Sequence, residues 1–211
     1  MNALIPKNGT LKAFVMIVDI NEFAMMVEND SGMIAQDTRD VLSGGVAAVE
    51  KFNGEVVGFM GDAFMAILFD PEDVFHSCVR IAKDLDRVCE YISDGQEECP
   101  DFFPYVKGGP SLKIGIEYGH FDVSTIHSRF LGEQAHIIGQ ATVHATRIGN
   151  AGVGNRCHIG PNAAALLNYH LEGPYEVKGK LHEGDFVYYE LDLGDIWKAG
   201  FRGEDDKSYW G

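Results

Sequence analysis

The chain is poor in basic residues, in cysteine and in long apolar runs. Lys and Arg number 17 against 32 Asp and Glu, so the formal net charge is −15 over 211 residues. Phosphate backbones attract basic faces, and that deficit argues against a protein that coats DNA or RNA. A small anionic substrate then needs a local positive site or a metal ion. No apolar stretch reaches the roughly 20 residues of a membrane-spanning helix. The start, Met1 to Lys7, lacks the basic region, long apolar segment and cleavage site of a secretory signal. The four cysteines, Cys78, Cys89, Cys99 and Cys157, form no C-x-x-C pair and no zinc spacing. Cys78 and Cys89 fall on the apolar face of a predicted helix and read as small hydrophobes. A reducing cytoplasm is the expected compartment.

What is present is ordinary globular material. Apolar residues make up 45% of the chain, enough for a core without staples. One domain is expected over residues 1–202, with a polar tail at 203–211. Leu11 to Val18 is a nearly continuous apolar run and reads as a buried central strand, with a short helical stretch near Asn21. Asp37 to Phe52 reads as a helix stopped by Asn53-Gly54. Glu55–Phe59 and Ala63–Phe69 read as a hairpin turning at Met60-Gly61-Asp62. Pro71 opens a long helix to about Ile92, and 93–110 reads as a surface loop. Leu112–Tyr118 and Phe121–Ile126 are expected to pair around a turn at Gly119-His120. Gly139–Asn150 is the next helix. Cys157–Ile159 is a brief strand, Pro161–Leu167 a short helix, and Leu171–Val177 and Asp185–Leu193 the last strands. Helices alternating with hairpins predict an α+β fold, a mixed sheet covered by helices.

Two carboxylates stand out. Asp19 ends a buried strand, and Asp62 sits in a tight turn. Singly, the first reads as a helix cap and the second as a turn residue. If the strands are neighbours, both side chains emerge at one edge of the sheet. Like charges brought together are costly unless a cation neutralises them. Mg²⁺ suits one or two carboxylates plus substrate phosphates.

Phe14-Val15-Met16-Ile17-Val18-Asp19-Ile20-Asn21-Glu22-Phe23 resembles the first strand of the class III nucleotidyl cyclases. Gly54 to Ala66 resembles their second metal hairpin, and Leu112 to Gly119 their central strand. Ile138 to Arg147 is similar to their Gly-started helix, and Tyr175 to Lys180 to their phosphate-binding Lys-Gly segment. The strand Phe186 to Leu191 closes the match. Five motifs in order are a stronger signal than any one of them.

The resemblance implies a ferredoxin-like, palm-type cyclase domain that works as a head-to-tail homodimer with sites across the interface. It implies two Mg²⁺ or Mn²⁺ ions on Asp19 and Asp62, with the Ile20 carbonyl as a further ligand, and a nucleoside triphosphate substrate. Arg147 would meet charge developing at the α-phosphate; a guanidinium can donate two hydrogen bonds to phosphate oxygens. Lys178 or Lys180 would hold the β- and γ-phosphates, with Lys180 in the better register. Either Asp19 or water would take the 3′-hydroxyl proton.

The chain also departs from the family pattern. The place of the purine-reading Lys or Glu is Gly58, and the place of the adenine-reading Asp is His136. The Asn before the Arg is Val143, and Glu22 replaces a Gly before the first-strand Phe. These changes imply a pyrimidine nucleotide, UTP ahead of CTP, as in the Pycsar-type pyrimidine cyclases of bacterial anti-phage signalling. Phe59 and His136 are the candidate contacts to a smaller ring. A purine cyclase, and an inactive cyclase-like module that binds nucleotide without turnover, are the alternatives. A diguanylate-cyclase palm fits less well, because Met60 to Phe64 lacks the expected double Gly and acidic pair.

Overall fold

β1 (Gly9–Ile20) lies inside the sheet because its apolar run leaves neither face free for water. The computed structural model describes residues 5–6, 8–20, 31–81, 112–130, 132–151, 156–167, 169–179 and 184–192. The helical stretch expected near Asn21, the 93–110 loop, Cys89, Cys99, Lys180 and the tail lie outside those residues.

After β1 come α1 (Ser31–Lys51), β2 (Glu55–Met60), β3 (Ala63–Leu68) and a helix α2 at 71–81. β4 (Leu112–Ser128), β5 (Gly132–Ile138), α3 (Gln140–Gly149), β6 (Arg156–Ile159), α4 (Pro161–Ala164), β7 (Glu172–Val177) and β8 (Phe186–Asp192) follow. The sheet order is β2-β3-β1-β4-β6-β8-β7, with β5 also on β4. Among the described strands only the β4–β6 pairing is parallel. This is the α+β architecture expected, a mostly antiparallel sheet flanked by helices.

Two readings change. The expected turn at Gly119-His120 is the middle of one strand, where Gly119 pairs with Ala13 and His120 with Lys12. The chain reverses later, so that Ser128 pairs with Gly132. β5, which the sequence reading passed over, is the other arm of that hairpin.

Side chains of β1 alternate between two cores, as a strand requires. Phe14, Met16, Val18 and Ile20 pack with Val41, Val49, Val74 and Cys78, under α1, α2 and α4. Ala13, Val15 and Ile17 pack with Phe121, Ile137, Ala141 and Ala145, under α3 and β5. Cys78 and Cys157 are buried free thiols in the first core, as small hydrophobes would be. α1 stops where Asn53 takes a positive φ of 56° and Gly54 N–H returns to Val49 O at 2.9 Å.

Candidate active site

The alternation of β1 puts Asp19 on the α3 face, in line with Ala13, Val15 and Ile17. β3 runs antiparallel beside it, with Asp19 opposite Ala63, so the β2–β3 turn lands at the end of β1. Gly61 makes that turn at φ 68°, a conformation that favours glycine. The Ile20 N–H donates to the Asp62 carbonyl at 3.3 Å and ties the turn to the strand. The two carboxyl groups come within hydrogen-bonding reach of each other.

Burial and the facing Asp62 charge push the Asp19 carboxyl up to about 6, against a weaker pull from Lys113. Two carboxylates held this closely are a site where a divalent cation relieves repulsion. No cluster of three or more His, Cys, Asp or Glu occurs among the described residues. A donor set of two carboxylates, completed by substrate phosphates and a main-chain carbonyl such as that of Ile20, fits Mg²⁺ or Mn²⁺ better than zinc.

Lys113 is a neighbour the sequence reading did not single out. It lies opposite Asp19 on β4 and beside Arg156 on β6, which in turn faces Asp192 on β8. Arg156 pairs with Glu190 at 3.0 Å and Glu172 at 3.2 Å. A charged row therefore crosses the sheet at this end. A Lys within the apolar run Leu112–Ile116 that opens β4 was the available signal.

Arg147 rides in the last turn of α3, on the same face as Asp19. α3 lies close to β4 there, because Gly149 and Gly115 meet with no Cβ between them. Val143 is exposed one turn earlier on the helix. His136 is exposed on β5 and pairs with Ser124, near the far end of β4. From Lys113 to Ser124 the strand contour is about 35 Å. Lys178 is exposed just beyond β7, at the sheet edge and at the Phe186 end of β8.

A single protomer thus gathers Asp19, Ile20 and Asp62 at one end and leaves His136 and Lys178 at the other. Phe59 is elsewhere again. It pairs with Phe64, whose ring is buried beneath α1, and it is 62% exposed. It lines an open groove of about 620 Å³ with Leu42, Val46 and Ala47 of α1, on the face opposite Asp19.

Residues 6–192 match the adenylate and guanylate cyclase catalytic domain family. The chain belongs to that family. No curated protein matches it in sequence. Solved cyclases share the fold. The adenylyl cyclase CyaB from P. aeruginosa is 18% identical, with a TM-score of 0.65 over 89% of this chain and 97% of that one. The guanylyl cyclase Cya2 is 15% identical, with a TM-score of 0.66 over 88% and 93%. The guanylate cyclase domain of RhGC from Catenaria anguillulae, solved in complex with GTP, is 14% identical, with a TM-score of 0.63 over 87% and 98%. This cyclase domain is an α+β palm with no described helix long and apolar enough to cross a membrane.

Proposed function

We propose that this cyclase domain converts a nucleoside triphosphate to its 3′,5′-cyclic monophosphate and pyrophosphate. The observation that carries the reading is the convergence of Asp19 and Asp62 from separate elements onto one edge of the sheet. Asp19, Asp62 and the Ile20 carbonyl would hold the divalent ions. Two such ions, when bound, favour ionisation of the ribose 3′-hydroxyl and neutralise the triphosphate. Arg147 donates to the α-phosphate oxygens as charge builds there. Lys180, or Lys178 in its place, holds the outer phosphates as a point charge. The 3′-hydroxyl gives its proton to Asp19 or water, its oxygen bonds to the α-phosphorus, and the bond to the bridging oxygen breaks to release pyrophosphate.

The separation of Asp19 and Asp62 from His136 and Lys178 supports a composite site. Arg147, in the turn of α3 beside Gly115, lies toward the Asp19 end of its own chain, and its place in the partner's site rests on the cyclase reading alone. In a head-to-tail pair, one protomer's Asp19 end meets its partner's α3 and β5. Ile126, Phe130, Ile138 and Val143 support that surface as the contact, being apolar and exposed along the β4–β5 hairpin and α3.

For the base, we propose a pyrimidine, UTP ahead of CTP, with His136 and Val143 as its neighbours. His136 stands where an adenine-reading carboxylate is expected. Gly58 leaves open space where a purine-reading side chain is expected. Phe59 drops out of the base contacts, since it faces α1. The product would act as a second messenger in bacterial anti-phage defence.

Incubation with each of the four ribonucleoside triphosphates and Mn²⁺, with chromatography of the products, tests the reading. Cyclic UMP or cyclic CMP is the expected product. Cyclic AMP or cyclic GMP alone would keep the cyclase and overturn the base assignment. Binding without any cyclic product would leave a nucleotide-sensing module.

A further inference from the structure

β4 has a gap along one edge. β6 pairs with it up to Ile116, and β5 begins at Asp122. Glu117 lies in that gap and is 1% exposed. Its Oε1 accepts the Tyr118 N–H at 2.8 Å and the Ala163 N–H of α4 at 3.1 Å. Its Oε2 has no hydrogen-bond partner among the described residues and is sealed from solvent. Gly160 presses against it so closely that a Cβ there would collide with the carboxylate. On the other side, His144 Nδ1 of α3 stands 3.6 Å away. The Phe186 ring of β8 holds the imidazole edge-on at 5.0 Å.

We propose that Glu117 is a positioning residue, fastening α3 through His144 so that Arg147 is held in place three residues further on. One carboxylate meets β4, α4 and α3 together. The carboxylate adds a polar tie to a helix otherwise seated by packing, with Ala141 and Ala145 in one core and Ile148 against Phe186. The α3 N-terminus has no side-chain cap among the described residues. Positions three apart on a helix share a side, so a slip at His144 moves Arg147 with it. A cavity of about 380 Å³ lies alongside, lined by Lys12, His120, Gln140 and Asn162 among others. Glu117 and His144 both stand in its wall, with Oε2 itself sealed from solvent.

The role assigned to Arg147 rests on the cyclase reading, whereas the fastening of α3 does not. The test therefore has two arms on the full chain. In hydrogen exchange, Glu117→Gln and His144→Leu should each speed exchange of the α3 amides about tenfold and leave β1 and β3 unchanged. His144→Asn, which keeps a polar nitrogen near the Nδ1 position, should restore most of that protection. In turnover, both damaging variants should lower kcat about tenfold at nearly constant KM. Glu117→Gln should add less than about twofold when Arg147 is already Lys, because both act at one point. Unchanged α3 exchange in the two variants would overturn the proposal, as would a full tenfold loss in the Arg147→Lys background. Should Glu117→Gln fail to fold, His144→Leu and His144→Asn carry the exchange arm alone. A wild-type protein inert toward all four nucleotides would remove the cyclase reading, and the exchange arm would still decide the fastening.

Discussion

At the residue scale, half-buried Asp19 and buried His158 pull stability in opposite directions over nearly the same pH range. Asp19 is raised to about 6 by burial and by Asp62. Below pH 4 it is protonated in folded and unfolded chains alike. Between about 4 and 6 only the folded form keeps the proton, so stability falls as pH rises. Because Asp19 is only partly buried, solvent screening reduces the cost to about 1–2 kcal/mol. His158 is lowered to about 4 by burial, with Lys113 and Arg156 adding to it. Its contribution is whole above about 6.5 and is lost as pH falls toward 4. That loss is about 2–3 kcal/mol. Urea melts of metal-free protein from pH 4 to 7.5 should separate the two. Asp19→Asn should be more stable than wild type at pH 7.5 by about 1 kcal/mol, with a steeper loss on acidification. His158→Gln should show the reverse slope. Mn²⁺ with nucleotide should raise the wild-type midpoint at pH 7.5 and leave Asp19→Asn unmoved. A wild-type midpoint indifferent to Mn²⁺ and nucleotide would count against the metal assignment.

The same pair of carboxylates shows which site features a sequence discloses. Asp19 and Asp62 were legible because a strand end and a tight turn fix where their side chains emerge. Asp62→Ala should abolish cyclic product, by at least about a thousandfold, and leave the circular dichroism spectrum intact. Phe59 was not legible. Strict alternation from Val57 puts it on the Asp19 face. The register shift between Val56 and Gly58 adds a residue to β2 and turns Phe59 to the α1 face instead. A bulge leaves no mark in residue type, so only pairing could reveal it.

At the scale of elements, β4 is where local reading and tertiary structure part. A Gly followed by a polar His, between two apolar runs, suggests a turn. Gly119 instead serves packing. A Cβ there would lie 3.3 Å from the Ala141 side chain of α3. β5 was passed over because Gly-Glu-Gln-Ala-His carries no alternation a reader would trust, and long-range pairing with β4 makes it a strand. The remaining elements were legible where periodicity was strong, as in β1 and α1, though α1 begins at Ser31 and not at Asp37. The close approach of α3 to β4 gives a test at this scale. A Cβ at Gly115 would run into the Ala145 carbonyl and the Gly149 backbone, neither of which can yield as a side chain does. Gly115→Ala should therefore destabilise the fold by about 1–3 kcal/mol in urea melts. It should also cost turnover beyond that loss of folded protein, because the displaced helix carries Arg147. A variant as stable and active as wild type would show that α3 is free to shift without consequence.

At the scale of the molecule, the question is whether one chain holds a whole site. Its carboxylates sit at one end of β4, and His136 sits toward the other. A chain of net charge −15 also gains nothing from general electrostatics when it meets another copy or a triphosphate. Shape and local charge must do that work, which favours apolar contact around Phe130 and cations at Asp19. Complementation tests the composite site directly. Asp19→Ala and Arg147→Ala homodimers each lack one essential group in both sites and should be inactive. In a mixed dimer, one site receives Asp19 from the Arg147→Ala chain and Arg147 from the Asp19→Ala chain, while the other site lacks both. Random exchange makes half the dimers mixed, so an equal mixture should regain about one quarter of wild-type activity. Differently tagged chains, captured in tandem, establish that mixed dimers formed. If they form and no cyclic product appears, Asp19 and Arg147 act within one chain, and the head-to-tail arrangement is wrong.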